Sequence, residues 1–218
     1  MTQLRNVTLM AISGSEDPVS FTNHLRALIH SMSNGKLVFG KVKILSPIKP
    51  VDVPEPIEYV QIPVLSYAGY NNFSIRELNN YVDTDYVLNV QNDGFVTHPE
   101  LWSDSFLQYD YVGAPWHDSA HYEHVRVGNS GFCLRSKAFL RVAQQYCPTH
   151  NFNDDHLMCV TYRSLFLKHG MKFAPLEVAS KFSFESQLSD YPNSVETSFG
   201  AHGKNTYMQN IVDSWGTL

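Results

Sequence analysis

The spacing of apolar and polar residues along the chain separates strands from helices. Residues 6–14, N-V-T-L-M-A-I-S-G, form a β-branched and apolar run closed by glycine, which predicts a buried first strand. Over 19–32, Phe21, Leu25, Leu28, Ile29 and Met32 recur at helical spacing, and Asn34-Gly35 supplies the stop. Residues 41–45 alternate polar and apolar, as a second strand does. Pro47, Pro50, Pro54 and Pro56 then demand an extended connection. A third strand is expected at 59–65, and a helix over 72–81 carries Phe73, Ile75, Leu78 and Tyr81. Residues 86–90 make the most apolar strand and run directly into the polar group Gln91-Asn92-Asp93-Gly94.

This β-α-β-β-α-β order argues for a mainly parallel sheet covered on both faces. The second half is less regular. A helix is expected at 99–107 and a strand at 109–113, followed by a loop rich in His and Tyr. Another strand is expected at 131–134, with helices at 136–146 and 154–169. The last 45 or so residues have weak periodicity and read as mostly loop. A chain of 218 residues suits one α/β domain, here 1–218, with a Rossmann-like sheet flanked by helices. With 16 Lys+Arg against 21 Asp+Glu the net charge is −5, which argues against nucleic acid as the main partner. No apolar run is long enough to span a membrane. The three cysteines (Cys133, Cys147, Cys159) cannot pair completely and read as thiols in a reducing cytoplasm.

In an open parallel sheet, ligands bind beyond the carboxyl ends of the strands. Asp83-Thr84-Asp85 is a literal D-x-D, but it precedes strand 86–90 and reads as a solvated turn at the opposite edge. Gln91-Asn92-Asp93-Gly94 follows the same strand, so Asp93 can present a carboxylate to the crevice beside a permissive Gly94. Locally, a plain turn explains it equally well. The glycines of Val127-Gly128-Asn129-Ser130-Gly131-Phe132 suit either a close-packed ligand wall or simple packing. Asn153-Asp154-Asp155 opens a helix, where acids are also ordinary dipole partners. Phe199-Gly200-Ala201-His202-Gly203 sets a histidine between glycines in the irregular tail. His117, His121 and His124, with Asp118 and Glu123, have spacings that a zinc site could use, but no apolar stripe holds a helix there. They read as a polar loop over the site.

Taken in order, Q-N-D-G-F (91–95), F-L-Q-Y-D-Y-V-G-A-P-W (106–116), V-G-N-S-G-F-C-L-R-S (127–136), N-D-D (153–155) and F-G-A-H-G (199–203) carry a resemblance. Together they resemble a family from bacteria, fungi and large viruses, catalogued as a domain of unknown function and associated with glycosyl transfer. The layout is also similar to GT-A nucleotide-sugar transferases such as the β-1,4-galactosyltransferases. The resemblance implies a GT-A-like domain that moves a hexosyl or deoxyhexosyl unit from a nucleotide diphosphate sugar to a glycan hydroxyl in glycan biosynthesis. UDP-sugar is the first candidate donor. It implies Asp93 and His202 as ligands of a divalent metal, Mn²⁺ ahead of Mg²⁺, with Asp155 as general base and Asp154 beside it. Ser13, Asn92, Asp93, Gly94, Trp116, Asn129 and Gly131 would then line the donor. Two departures stand out: positions 91 and 92 are Gln and Asn, leaving one acid, and Ser130 stands where glycine is commoner. An attacking hydroxyl activated by Asp155 implies inversion. A retaining transferase, a nucleotide-sugar hydrolase and a silent sugar-binding module are the competing readings.

Overall fold

The computed structural model describes residues 1–117, 125–149 and 151–215. Along the chain run β1 (Thr2–Ile12), α1 (Pro18–Ser31), β2 (Leu37–Ser46), β3 (Ile57–Gln61), α2 (Tyr67–Arg76), β4 (Tyr86–Val90) and β5 (Gly94–Val96). Next come β6 (Tyr111–Val112), β7 (Cys133–Ser136), α3 (Lys137–Tyr146), α4 (Asp154–His156), α5 (Arg163–Lys168) and α6 (Leu176–Phe182). The tail adds β8 (Ser183–Phe184), β9 (Gly200–His202) and α7 (Thr206–Ser214). Six strands form the central sheet in the order β3-β2-β1-β4-β7-β6. The first four of these are parallel, and β7 runs antiparallel to both β4 and β6. A second sheet, β5-β9-β8, joins the end of β4 to the tail. The expected α/β fold with a sheet flanked by helices is the one observed.

Successive side chains of β1 serve two cores, because a central strand presents alternate residues to opposite faces. Leu9 and Ala11 pack with Phe21, Leu25 and Leu28 of α1. Met10 and Ile12 pack on the other side with Phe73, Leu78 and Leu140. Burial on both faces accounts for the unbroken apolar run, each large side chain contributing roughly 1.5–3 kcal/mol.

Where element bounds depart from expectation, local hydrogen bonding explains the shift. The helix expected at 72–81 begins at Tyr67, because the Ser66 hydroxyl caps the Gly69 N–H; Leu78–Tyr81 follows as a 3-10 turn. The strand expected at 131–134 occupies Cys133–Ser136 instead, since the N–H groups of Gly131 and Phe132 are taken by the Asn129 side chain. The long helix expected at 154–169 is divided by a π-helical turn, Leu157–Thr161. The 99–107 helix is two 3-10 turns, Pro99–Leu101 and Asp104–Gln108. The tail holds more structure than its periodicity suggested, notably α7, whose first turn is capped by Asn205.

Asp83-Thr84-Asp85 sits at the amino end of β4 and is consumed by packing. The Asp83 carboxylate meets the buried Lys43 ammonium at 2.5 Å, Thr84 Oγ1 lies 2.8 Å from Thr8 Oγ1, and the Asp85 carbonyl accepts from the Lys137 N–H. Asp83→Ala is expected to cost on the order of 1 kcal/mol, because it strips a charge partner from a buried ammonium. A thermal melt reads that loss, and calorimetry with Mn²⁺ should read no change in metal affinity.

Candidate active site

Asn92 and Asp93 form the two-residue tip of a hairpin between β4 and β5, closed by Gln91 N–H to Gly94 carbonyl at 2.8 Å and Gly94 N–H to Gln91 carbonyl at 3.1 Å. Asn92 is exposed at this tip. β5 pairs with β9 so that Gly94 stands opposite His202, and the Gly203 N–H donates to the Asp93 carbonyl. Two residues more than 100 positions apart are thereby joined: Asp93 Oδ1 lies 3.6 Å from His202 Nε2.

Glycine makes room for this imidazole. A Cβ at Gly131 would lie 2.1 Å from His202 Nε2, and one at Gly94 would meet the Gly131 carbonyl at 2.5 Å. Asn129, buried and left-handed at φ 64°, completes the support. Its Oδ1 accepts from the N–H groups of Gly131 and Phe132, which fixes the amide orientation. Its Nδ2 then faces His202 Nδ1 at 2.8 Å. Asn129 and Gly131, expected along the donor sugar, are thus packed behind the histidine. The space over Gly128 is likewise filled by the Trp116 ring, which packs against the apolar cluster that includes Tyr111, Phe139 and Phe166.

Glu185, just after β8, was missed by sequence reasoning. Its Oε1 lies 3.4 Å from His202 Nδ1. Burial pulls the His202 pKa down, but the carboxylates of Glu185, Asp93 and Asp155 outweigh it and the net direction is up. His202 has two hydrogen-bonding arrangements. With Nδ1 accepting from Asn129, the ring proton sits on Nε2 and points at Asp93. With Nδ1–H donating to Glu185 instead, which requires the Asn129 amide to move away from Nδ1, the Nε2 lone pair is free. Only the second can ligate a cation, and a carboxylate behind the ring is the usual partner of a metal-binding histidine.

The acid pair divides into two different environments. Asp154 is buried, accepting from Ser74 Oγ at 2.5 Å, Ser130 Oγ at 2.6 Å and the Asp155 N–H at 2.9 Å. The buried Arg135 guanidinium reaches Ser74 Oγ from the other side at 3.0 Å. Asp155 faces the crevice, and its pKa is raised to about 6 by burial, then by the neighbouring Asp154 charge. Ser13 ends the run of β1 but is fully buried, its hydroxyl 3.5 Å from that of Ser20. His24 of α1 donates from the same region toward the Ser20 carbonyl at 2.8 Å, and burial holds its pKa down.

Among the described residues, no three His, Cys, Asp or Glu side chains are grouped to hold a metal ion by themselves. The pair that does converge, one carboxylate and one imidazole, fits a divalent cation that takes its remaining oxygens from a diphosphate and water. Of the histidine-rich loop, Asp118, His121, Glu123 and His124 lie outside the described residues. All three cysteines are buried and unpaired, and among the described residues no helix is long and apolar enough to cross a membrane.

A family model described as "Protein of unknown function (DUF5672)" matches residues 57–202, the stretch from β3 to the site histidine. No curated protein matches the chain. Among solved structures, a glycosyltransferase involved in glycosylation of the major capsid of PBCV-1 is similar at 12% identity and a TM-score of 0.51, over 95% of this chain and 97% of that one. The galactosyltransferase LgtC, solved with donor and acceptor sugar analogues, is similar at 14% identity and a TM-score of 0.55, over 97% of each chain. At such identities the likeness establishes a shared fold, that of GT-A glycosyltransferases.

Because Asp155 is more acidic unfolded than folded, its ionisation opposes folding. The penalty is absent below about pH 4, grows as pH rises towards 6 and is complete above it. Asp155→Asn is therefore expected to raise the Tm at pH 7.5 by several degrees, on the order of 2 kcal/mol, and to leave it unchanged near pH 3.5. A series of melts across this range checks both limits.

Proposed function

The chain belongs to the DUF5672 family, and we propose that it is a glycosyltransferase moving a sugar from a nucleotide diphosphate donor to a hydroxyl of a glycan acceptor. The observation that carries this reading is the meeting of Asp93 and His202 at 3.6 Å beyond the carboxyl end of β4, with Asp155 facing the same crevice. That is where open α/β sheets bind ligands, and the shared fold with a galactosyltransferase solved with donor and acceptor sugar analogues supports the transferase reading.

Asp93 and His202 would hold a divalent cation, with Mn²⁺ favoured over Mg²⁺ by the imidazole. When bound, the cation supplies charge neutralisation to a departing diphosphate. Glu185 would accept a hydrogen bond from His202 Nδ1–H, holding the ring proton on Nδ1 and keeping Nε2 available. Asn129 and Gly131 hold the ring against the β4–β5 turn. Gly94 and Asn92 border the approach to Asp93, and Ser13 and α1 flank the nucleotide end. Asp154, held by Ser74 and Ser130, lies beside Asp155 and adds to the burial that makes Asp155 basic enough to accept a proton. A carboxylate of pKa about 6 is ionised at neutral pH yet near enough to it for effective general-base work. Asp155 then takes the acceptor hydroxyl proton as that oxygen attacks C1 opposite the diphosphate, and the configuration inverts.

Uridine diphosphate sugars are the first donors to screen. Asp93→Ala and His202→Ala are each expected to weaken Mn²⁺-dependent donor binding at least tenfold in calorimetry, and Glu185→Ala by about 10–100-fold. Binding left intact in both of the first two variants would falsify the cation assignment. Asp155→Asn should lower turnover by about 10²–10⁴ without changing donor affinity. NMR of the product reads the anomeric centre; retention removes Asp155 from the role of base.

A further inference from the structure

One face of α2 is stitched to the segment that carries the acid pair. Tyr67, Asn71 and Ser74 lie at i, i+4 and i+7, one stripe of the helix. The Tyr67 hydroxyl donates to Asn153 Oδ1 at 2.6 Å, Asn71 Oδ1 accepts from the Asp154 N–H at 3.0 Å, and the Ser74 hydroxyl donates to Asp154 Oδ2 at 2.5 Å. The two inner rungs are buried, but the outer one opens to solvent. The Tyr67 residue is 70% exposed although its hydroxyl is tied down, and Phe152, next to Asn153, is 65% exposed. Phe152 keeps its ring roughly parallel to that of His156, with the centroids 6.2 Å apart.

Phe152 lies two residues before Asp154, and the Tyr67 phenol is tied to Asn153 between them, so two exposed aromatic side chains 85 positions apart in the chain flank the segment that carries the acid pair. An aromatic face carries negative quadrupole density and attracts the polarised C–H groups on the flat side of a pyranose, while ring hydroxyls stay free to bond elsewhere. The tethered phenol cannot swing away, so little conformational entropy is lost when a sugar docks. We propose that Tyr67 and Phe152 form a shelf that binds a pyranose ring of the acceptor and aims its hydroxyl at Asp155. This deepens the transferase reading and rests on it only for the aim; sugar binding by the shelf is testable alone.

The probes are methyl glucopyranoside, galactopyranoside, mannopyranoside and xylopyranoside, followed by saturation-transfer NMR on the full chain. At least one should receive saturation, strongest on the C–H face of the ring. Phe152→Ala, Phe152→Leu and Tyr67→Ala should each raise its Kd about tenfold. Tyr67→Phe, which keeps the ring but frees it from Asn153, should raise the Kd by about two- to threefold, less than Tyr67→Ala. Both positions of change lie on the surface, and unchanged circular dichroism verifies the fold. The shelf is overturned by an absence of transfer to every methyl pyranoside, or by Kd values unmoved in Phe152→Ala and Phe152→Leu. It is equally overturned if the patch proves to be a self-association surface, with a concentration-dependent sedimentation coefficient that Phe152→Ala abolishes. Calorimetry with uridine diphosphate and Mn²⁺ on the same samples keeps the two readings apart. Pyranoside binding without nucleotide binding upholds the shelf and removes the transferase.

Discussion

The arrangement of the site depends on one buried charge. A carboxylate withdrawn from water is tolerated only when its oxygens are fully engaged, and Asp154 meets this with two hydroxyls, a backbone N–H and a guanidinium beyond one of the hydroxyls. Each partner comes from a different part of the chain: Ser74 from α2, Ser130 from the turn before β7, Arg135 from β7 itself. Satisfying the charge therefore fixes three segments relative to α4. The same turn holds Asn129 and Gly131, so the requirement reaches His202 through backbone rather than through a chain of flexible side chains. Asp155 inherits its position from this clamp, and its basicity first from burial and then from the charge within the clamp.

Much of the frame was legible in the sequence because it follows from local pattern. The unbroken apolar run of β1 and the bounds of β4 come from burial on both faces, which any central parallel strand requires. The rejection of Asp83-Thr84-Asp85 needed only strand direction, and Lys43 gives it a structural occupation. The meeting of Asp93 with His202 was reached through motif order, not periodicity, since nothing local in F-G-A-H-G announces a pairing with β5. What was not legible is equally specific. Glu185 sits in Ser183-Phe184-Glu185-Ser186 with no distinguishing pattern, and becomes visible only because β8 lies beside β9. The resemblance implied Asn129 beside the donor; its left-handed backbone and its amide bonds to Gly131, Phe132 and His202 were not legible beyond the tolerance of Asn for that conformation.

The glycines were open to two readings, packing and chemistry. From sequence, Gly128 and Gly131 suited a wall for a ligand that approaches backbone closely. In the fold, the approach is made by the protein's own rings, Trp116 on Gly128 and His202 on Gly131. A missing Cβ is a statement about proximity and is silent on what comes near. The functional consequence is indirect: by admitting His202 so closely, Gly131 sets the distance between the imidazole and Asp93.

The tail carries a corresponding energetic consequence. β5, β8 and β9 are strands of two or three residues, too short to be stable as an isolated sheet. Their docking relies on the apolar contacts of Phe95, Ala201 and Met208 with Ala27 of α1, and on the Gly203 N–H bonded to the Asp93 carbonyl. His202 and Glu185 both belong to this tail, while Asp93 lies in the turn that carries the chain from β4 of the central sheet into β5. Any ligand that engages Asp93 and His202 together must bridge this turn and the tail, and linkage then requires it to favour the docked tail by the same free energy with which docking favours the ligand. Completion of the site and closure of the fold are in this sense one equilibrium.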